Sequence, residues 1–337
     1  MTISTTLRSP KWGAGARARN RSVDVWLGWR VRWGRGGELA VGLGLGLVLD
    51  TVLGDPRRGH PVALYGRAVS VLERRCYRDS RLAGAVLVAI AVAAPVTLGR
   101  RLPTRWPAVA AVTWTVVGAT TLAREATALH DLLEAGDLEA ARTRLTHLVG
   151  RDPSKLDAGE IARAAVESVA ENTSDAVVAP LLWGAVLGLP GLLGYRAINT
   201  LDAMIGHRSP RYRNFGWAAA RLDDLANLAP ARLTAVLVAS AGDRPAATWT
   251  VVRSDAGAHP SPNAGWCEAA YAGALGLRLG GVNDYGDRVE HRALMGDGRP
   301  AEPKDVPRAV RLLRRVTVLA GGVASVVACS RGRVIIE

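Results

Sequence analysis

Two uncharged runs of 18 residues, Leu82 to Gly99 and Trp106 to Ala123, constrain this chain more than any other feature. Arg81 and Arg100 bracket the first, and Arg105 and Arg124 bracket the second. Each run approaches the ~20 residues an α-helix needs to cross ~30 Å of hydrocarbon. Paired arginine flanks and a short connection fit two membrane spans better than two core helices of a soluble protein. Three further stretches are apolar but imperfect: Glu38 to Leu53 carries Asp50, Leu225 to Ala241 carries Pro230 and Arg232, and Val316 to Ser330 has only 15 uncharged residues. Each reads as a tilted, short or partly buried span.

Composition supports this segregation. The chain is 49% apolar yet carries 43 Lys and Arg and a net charge of +13. The first 37 residues supply much of that excess, with eight basic residues against Asp24 alone. No zinc-finger, RNP or basic-zipper pattern accompanies the charge, so a nucleic-acid partner is not expected, and arginine flanking apolar spans explains the basicity. The N-terminal stretch lacks the apolar core and small-residue cleavage site of a signal peptide. It reads as a disordered basic arm, residues 1–37, that touches anionic lipid. Cys76, Cys267 and Cys329 are scattered, without CxxC or His partners at metal spacing, so neither a disulfide framework nor a zinc site follows.

Ala176 to Tyr195 holds 20 uncharged residues but is interrupted by Pro180, Gly184, Gly188, Pro190, Gly191 and Gly194. Broken backbone at membrane depth must be covered by protein or line a polar cavity, so a re-entrant or broken helix pair is expected there. It leaves the polar segments before and after it on one side. The loop from Asp55 to Arg81 carries seven arginines against Asp55, Glu73 and Asp79, which places it in the cytoplasm. The expected fold is therefore all-α: a polytopic integral membrane protein of the cell membrane, with broken or re-entrant helices and polar cytoplasmic helices, forming one domain over residues 38–337.

Polar motifs cluster around the broken segment. From Asp157 the chain reads DAGEIARAAVESVAENTSD, in which Asp157 and Glu160 have the spacing of a capping box. Glu160, Arg163, Glu167, Glu171 and Ser174 then share one helical stripe. Glu160 and Arg163 read as a solvated i,i+3 pair. Glu167, Glu171, Asn172 and Asp175 run directly into the apolar segment, where carboxylates are costly and should face a cavity or a cation. After the break, YRAINTLDAMIGH sets Arg196, Asn199 and Asp202 one turn apart, and RLDDLANLAPARL sets Arg221 three residues before Asp224 and Asp223 four before Asn227. Hard oxygen ligands among arginines suit Mg²⁺ and phosphate. Nearer the N-terminus, DTVLGDPRRGHPV supplies Asp50, Asp55 and His60; Asp50 lies inside an apolar run, whereas a loop histidine commonly makes a local hydrogen bond. The run GLGLG from Gly42 reads as close helix packing, and SPNAGW from Ser261 as a turn offering Asn263. No P-loop, GxSxG elbow or HExxH occurs.

These blocks, in this order, resemble the CobD/CbiB proteins of cobalamin biosynthesis, the adenosylcobinamide-phosphate synthases. The resemblance rests on DxxxGDP with HPV, AxESxAENxxD, NTLDxMxG, FGWxxARxDD, PARL and SPNAG, and covers about Leu39 to Ala320. It implies an acid–amine ligase that joins aminopropanol, or its O-phosphate, to a corrin propionate of adenosylcobyric acid, with ATP and Mg²⁺, on the cytoplasmic side. It implies catalytic roles for Glu167, Glu171, Asp202, Arg221, Asp223 and Asp224, with Glu171, Asp202, Asp223 and Asp224 toward the metal. Asp50, Asp55, His60, Asn172, Asp175, Arg196, Asn199, Asn227 and Asn263 fall to substrate binding. Other corrinoid-pathway membrane enzymes are expected partners. Arg196 stands where the family more often has Lys, Ala176 where Gly is usual, and Ala203 and His207 where Ser and Tyr are common. Arg for Lys changes donor geometry, which argues against direct catalysis by Arg196. Two other readings compete: a secondary transporter, from intramembrane carboxylates beside a broken helix, and a structural subunit whose acidic clusters would tolerate substitution.

Overall fold

The computed structural model describes residues 34–56, 59–150, 152–207, 209–284 and 289–331; for 22–24, 30–32, 283–284 and 289–290 it describes the backbone alone. Most of the basic arm therefore lies outside the described residues. Within it, β1 (Ser22–Asp24) and β2 (Arg30–Arg32) pair antiparallel, as a unit separate from the helical body.

The helical body starts with α1 (Arg35–Leu53), which takes in the last three residues of the expected arm. It lies against α4 (Trp106–Val116), after α2 (Pro61–Cys76) and α3 (Arg81–Arg101). The GLGLG run sets that contact. A Cβ on Gly42 would stand 2.4 Å from the Val109 Cβ, and one on Gly46 would stand 2.4 Å from the Thr113 Cβ. Only glycine lets the two backbones approach so closely. The second 18-residue run, expected as one span, is two helices. It breaks at Val117 and Gly118, where the Gly118 amide donates to the Ala176 carbonyl, and resumes as α5 (Ala119–Glu134). Carboxylates of α1 supply both new N-termini: Glu38 accepts from the Trp106 amide at 2.8 Å, and Asp50 from the Thr120 amide at 3.1 Å and its hydroxyl at 2.9 Å. Orphan amides at a helix start need such acceptors, and here they come from a neighbouring helix.

Polar helices follow: α6 (Leu138–Leu145) and α7 (Ala158–Thr173), which begins at the Asp157–Glu160 capping box as expected. A π turn over Ser174–Val178 carries α7 into α8 (Ala179–Leu187). Gly188, at a φ of 71° that favours glycine, then reverses the chain into α9 (Leu189–Leu201). This is the expected broken pair. Its tip touches the far end of α3, where a Cβ on Gly99 would meet Pro190 and Leu189, while the near end of α3 meets Phe215 through Gly84. A second π turn, Asp202–Gly206, ends α9. Next come α10 (Trp217–Ala226) and α11 (Leu228–Ala241), split at Asn227, so that the apolar stretch Leu225–Ala241 reduces to the short helix α11.

The last part comprises α12 (Pro245–Asp255), α13 (Ala264–Leu275), a hairpin of β3 (Leu277–Asp284) with β4 (Val289–Met295), the short β5 (Arg299–Pro300) parallel to β3, and α14 (Val306–Arg331). This small sheet has no counterpart in the all-α expectation. Among the described residues, four helical stretches are long and apolar enough to cross a membrane: Arg35–Leu53, Arg81–Arg101, Trp106–Glu134 and Pro303–Arg331. One core runs through the body around Leu43, Val109, Ile161, Leu181 and Leu313; a smaller one joins α2, α3 and α9 through Val69, Leu87, Leu201 and Phe215.

Candidate active site

The π turns set the site. Each inserts an extra residue at the foot of the α8–α9 hairpin, and each opens on a carboxylate or its neighbour, Asp175 in the first and Asp202 in the second. Such bulges are frequent at functional positions because they re-aim side chains without ending a helix. Asn199 donates to Asp175 at 3.2 Å across the hairpin. Asp175 lies within electrostatic reach of Asp223, Glu171 and Asp202, and Asp202 within reach of Asp224. Glu171, Asp175, Asp202, Asp223 and Asp224, from α7, both π turns and α10, thus add like charge to one region. Glu171 is exposed near the C-terminal end of α7.

The amide side chains tune this cluster. Asn227, only 2% exposed at the α10–α11 break, donates to Asp223 at 2.9 Å and accepts from the Tyr195 hydroxyl at 2.9 Å. The other Asp223 oxygen is buried with no hydrogen-bond partner among the described residues. Burial, reinforced by Asp202, pushes the Asp223 carboxyl up to about 7 against the opposing Asn227 bond. Arg196 touches Asn199 at 3.4 Å and is drawn toward both Asp55 and Asp175. Asp55 and His60 therefore approach from the first loop. Burial holds the His60 imidazole below its ordinary value, and its Nδ1 caps α2 by accepting from the Val62 amide at 3.2 Å. Arg221 is exposed and makes a loose 3.5 Å pair with Asp224.

Three expected residues serve mainly to hold elements in place. Asp50 caps α5. Asn263 donates to the Asp224 carbonyl at 2.7 Å and accepts from Arg232 at 3.0 Å, tying the SPNAG turn to α10. Glu167 accepts from the Gly280 amide at 2.9 Å and from Arg163 at 3.3 Å, which pins the β3–β4 hairpin against α7. Arg163 was expected to pair with Glu160 on a solvated face; instead it donates to the Gly280 and Val282 carbonyls, because the hairpin supplies acceptors that no helix-local pattern reveals. Asn172 is half-buried and donates to the Ser168 carbonyl at 2.9 Å.

The hairpin also brings residues that the sequence reading passed over. Arg292 on β4 lies 3.7 Å from Glu268 and within electrostatic reach of Glu171; His259 lies 3.7 Å from the same Glu268 oxygen. Glu268 is 1% exposed in an otherwise Ala/Gly-rich helix, and that lone carboxylate was the one signal available.

Hard carboxylate oxygens, an orphaned buried oxygen on Asp223 and an excess of negative charge fit a hydrated divalent cation. Among the described residues no three His, Cys, Asp or Glu side chains are arranged to hold one ion by themselves. An ion there would have to draw further ligands from water or from a bound phosphate.

The model of the family described as CobD/Cbib protein matches residues 43–313. The chain belongs to the CobD/CbiB family. Among CobD/CbiB relatives, the cobalamin biosynthesis protein CobD of Mycobacterium tuberculosis is 54% identical over 304 residues, covering 87% of this chain and 97% of its own. The protein of that name from Rhodobacter capsulatus is 46% identical, covering 82% and 94%. That from Sinorhizobium fredii is 41% identical, covering 86% and 97%. No solved structure matches the chain.

Proposed function

We propose that the chain acts in cobalamin biosynthesis as an amide-forming synthase, joining aminopropanol or its O-phosphate to a corrin propionate of adenosylcobyric acid at the expense of ATP. The observation that carries this reading is the cluster of Glu171, Asp175, Asp202, Asp223 and Asp224. So many carboxylates in one region repel, and a cation with its phosphate ligands relieves that repulsion. One or two of Asp202, Asp223 and Asp224 would hold Mg²⁺, with water and substrate phosphate as its other ligands, and Glu171 would stand outside that set. The ion supplies charge neutralisation at phosphate oxygens.

The chain's own residues then have these tasks. Arg221, exposed and loosely paired, swings to phosphate, and Arg196 is held by Asn199 to do the same from the opposite wall. The propionate oxygen attacks the terminal phosphorus, ADP leaves, and an acyl phosphate remains on the corrin side chain. Glu171, exposed, takes a proton from the substrate ammonium. The free amine attacks the acyl carbon, and phosphate leaves as the amide forms. Glu167, occupied by the hairpin, holds it against α7. Positioning and charge neutralisation account for most of the acceleration. The cytoplasm, where ATP is available, is the side assigned to the site.

Purified protein incubated with adenosylcobyric acid, ATP, Mg²⁺ and each amine should give the matching mass gain by mass spectrometry. Asp223→Asn with Asp224→Asn should lower the rate by roughly 100-fold or more. A normal rate in that variant would remove the metal assignment, and no ATP-dependent product with either amine would remove the reaction.

A further inference from the structure

A cavity separate from the carboxylate cluster lies where the C-terminal ends of α11 and α13 meet α14. It is lined by Arg308, Arg311 and Arg315, with Asp243, Leu275 and Leu312. The three arginines recur at i, i+3 and i+7 and so share one face of α14. Two are held in place: Arg308 donates to the Leu275 carbonyl at 3.0 Å, and Arg315 to the Ala241 carbonyl at 3.1 Å. Each also has a carboxylate, Asp305 at 2.7 Å and Asp243 at 3.3 Å, and Asp305 is shared with Arg299. Arg311 is exposed and has no intramolecular partner among the described residues. Arg244, beside Gly276, adds a further positive charge at the same helix end. The surroundings therefore hold positive charge beyond what the two carboxylates neutralise.

Its position says what would take up that charge. Arg315 is the last charged residue before the apolar run Val316–Ser330, so the cavity sits at the polar–apolar boundary of a candidate span. One turn further along the same face, Val318 is 74% exposed and Leu319 38% exposed, and Gly322 has open space where a side chain would be. Val236 on the neighbouring α11 is exposed as well. A polar head beside arginines with an apolar chain running along Val318, Leu319 and Gly322 describes an amphiphile. Basic pockets between spans at a membrane surface take anionic lipid headgroups.

We infer that this pocket binds the phosphate headgroup of an anionic phospholipid, with an acyl chain lying along the exposed face of α14. The bound lipid would fix α14 against the ends of α11 and α13, about which the site's own helices are arranged. The full chain, reconstituted in phosphatidylcholine nanodiscs containing a minor share of phosphatidylglycerol, tests this by native mass spectrometry after extraction. One phosphatidylglycerol should be retained per chain. Retention should fall roughly fivefold for each arginine charge removed, in Arg311→Gln and in Arg311→Gln with Arg315→Gln. Arg314→Gln, which lies off the pocket, should leave it unchanged. The single Arg311 variant breaks no internal bond, so its folding is not at issue. Equal retention in Arg311→Gln and wild type would overturn the site. A second arm offers inorganic phosphate and glycerol 3-phosphate to lipid-free protein in detergent. Weak binding there supports a lipid occupant, whereas binding as tight as that of phosphatidylglycerol would overturn it in favour of a soluble phosphate ester.

Discussion

Asp223 shows how one side chain can carry both stability and function. Its ordinary value is near 3.8, and in the folded chain it rises to about 7. The folded state therefore binds the proton more tightly than the unfolded chain. Stability from this group is fully present below about pH 4 and is lost as pH rises through about 7, by no more than about 1.4 kcal/mol per pH unit. Without divalent cations, unfolding in detergent should thus come at lower temperature at pH 8 than at pH 5, and Asp223→Asn should flatten the slope. A slope unchanged by that substitution would show that Asp223 does not titrate in this range. Asp50 teaches the opposite lesson. A carboxylate inside an apolar run signals a special environment, but its partner, Thr120, is 70 positions away and cannot be read from spacing. Its task is to cap a helix. Asp50→Ala should destabilise the protein by about 1–2 kcal/mol in denaturant titration, in line with other lost caps. An unchanged midpoint would mean that the break at Gly118 is held by something else.

At the scale of elements, what was legible depended on locality. The capping box at Asp157, close packing through the GLGLG run and a broken helix pair within Ala176–Tyr195 follow from residues a few positions apart, and all three stand in the structure. The partner of the glycines, α4, is more than 60 positions away and was not legible. The π turns at Asp175 and Asp202 were not legible, since a single inserted residue leaves the apolar pattern on either side intact. Nor was the β3–β4 hairpin, whose acceptors for Arg163 lie more than 100 positions from it. Among the contacts of the hairpin with α7, the Gly280 amide's bond to Glu167 is buried, and such a bond is expensive to leave half made. Glu167→Gln weakens the charge-assisted pair with Arg163 and the acceptor for the Gly280 amide together. Hydrogen exchange at that amide should quicken by at least about tenfold while exchange in α3 stays as it was, the local loss being ~1.5 kcal/mol or more. Equal acceleration in both places would mean that the hairpin is not a separable unit.

At the scale of the molecule, the contacts fix which ends lie together, while charge leaves the orientation open. The N-terminal end of α1 lies with the start of α4 through Glu38 and Trp106, so Arg35 shares a face with Arg100, Arg101 and Arg105. The tip of the α8–α9 hairpin reaches the same face, as does Arg331, which lies 3.4 Å from the Ala185 carbonyl. The opposite face carries the carboxylate cluster, α2 and the arginines that open α14. Both faces are thus rich in arginine, and the excess that decides membrane orientation is shared between them. Two of the native cysteines resolve this, because Cys76 ends α2 on the site's face and Cys329 lies near the end of α14 on the other, both exposed, whereas Cys267 is buried. In single-cysteine variants in sealed right-side-out vesicles, a membrane-impermeant maleimide should label Cys329 and reach Cys76 only after the membrane is opened. The reverse pattern would keep the fold but move the carboxylate cluster away from cytoplasmic ATP. Labelling of both thiols in sealed vesicles would contradict the arrangement of the spans itself, since α3 and α14 could then not run from one face to the other.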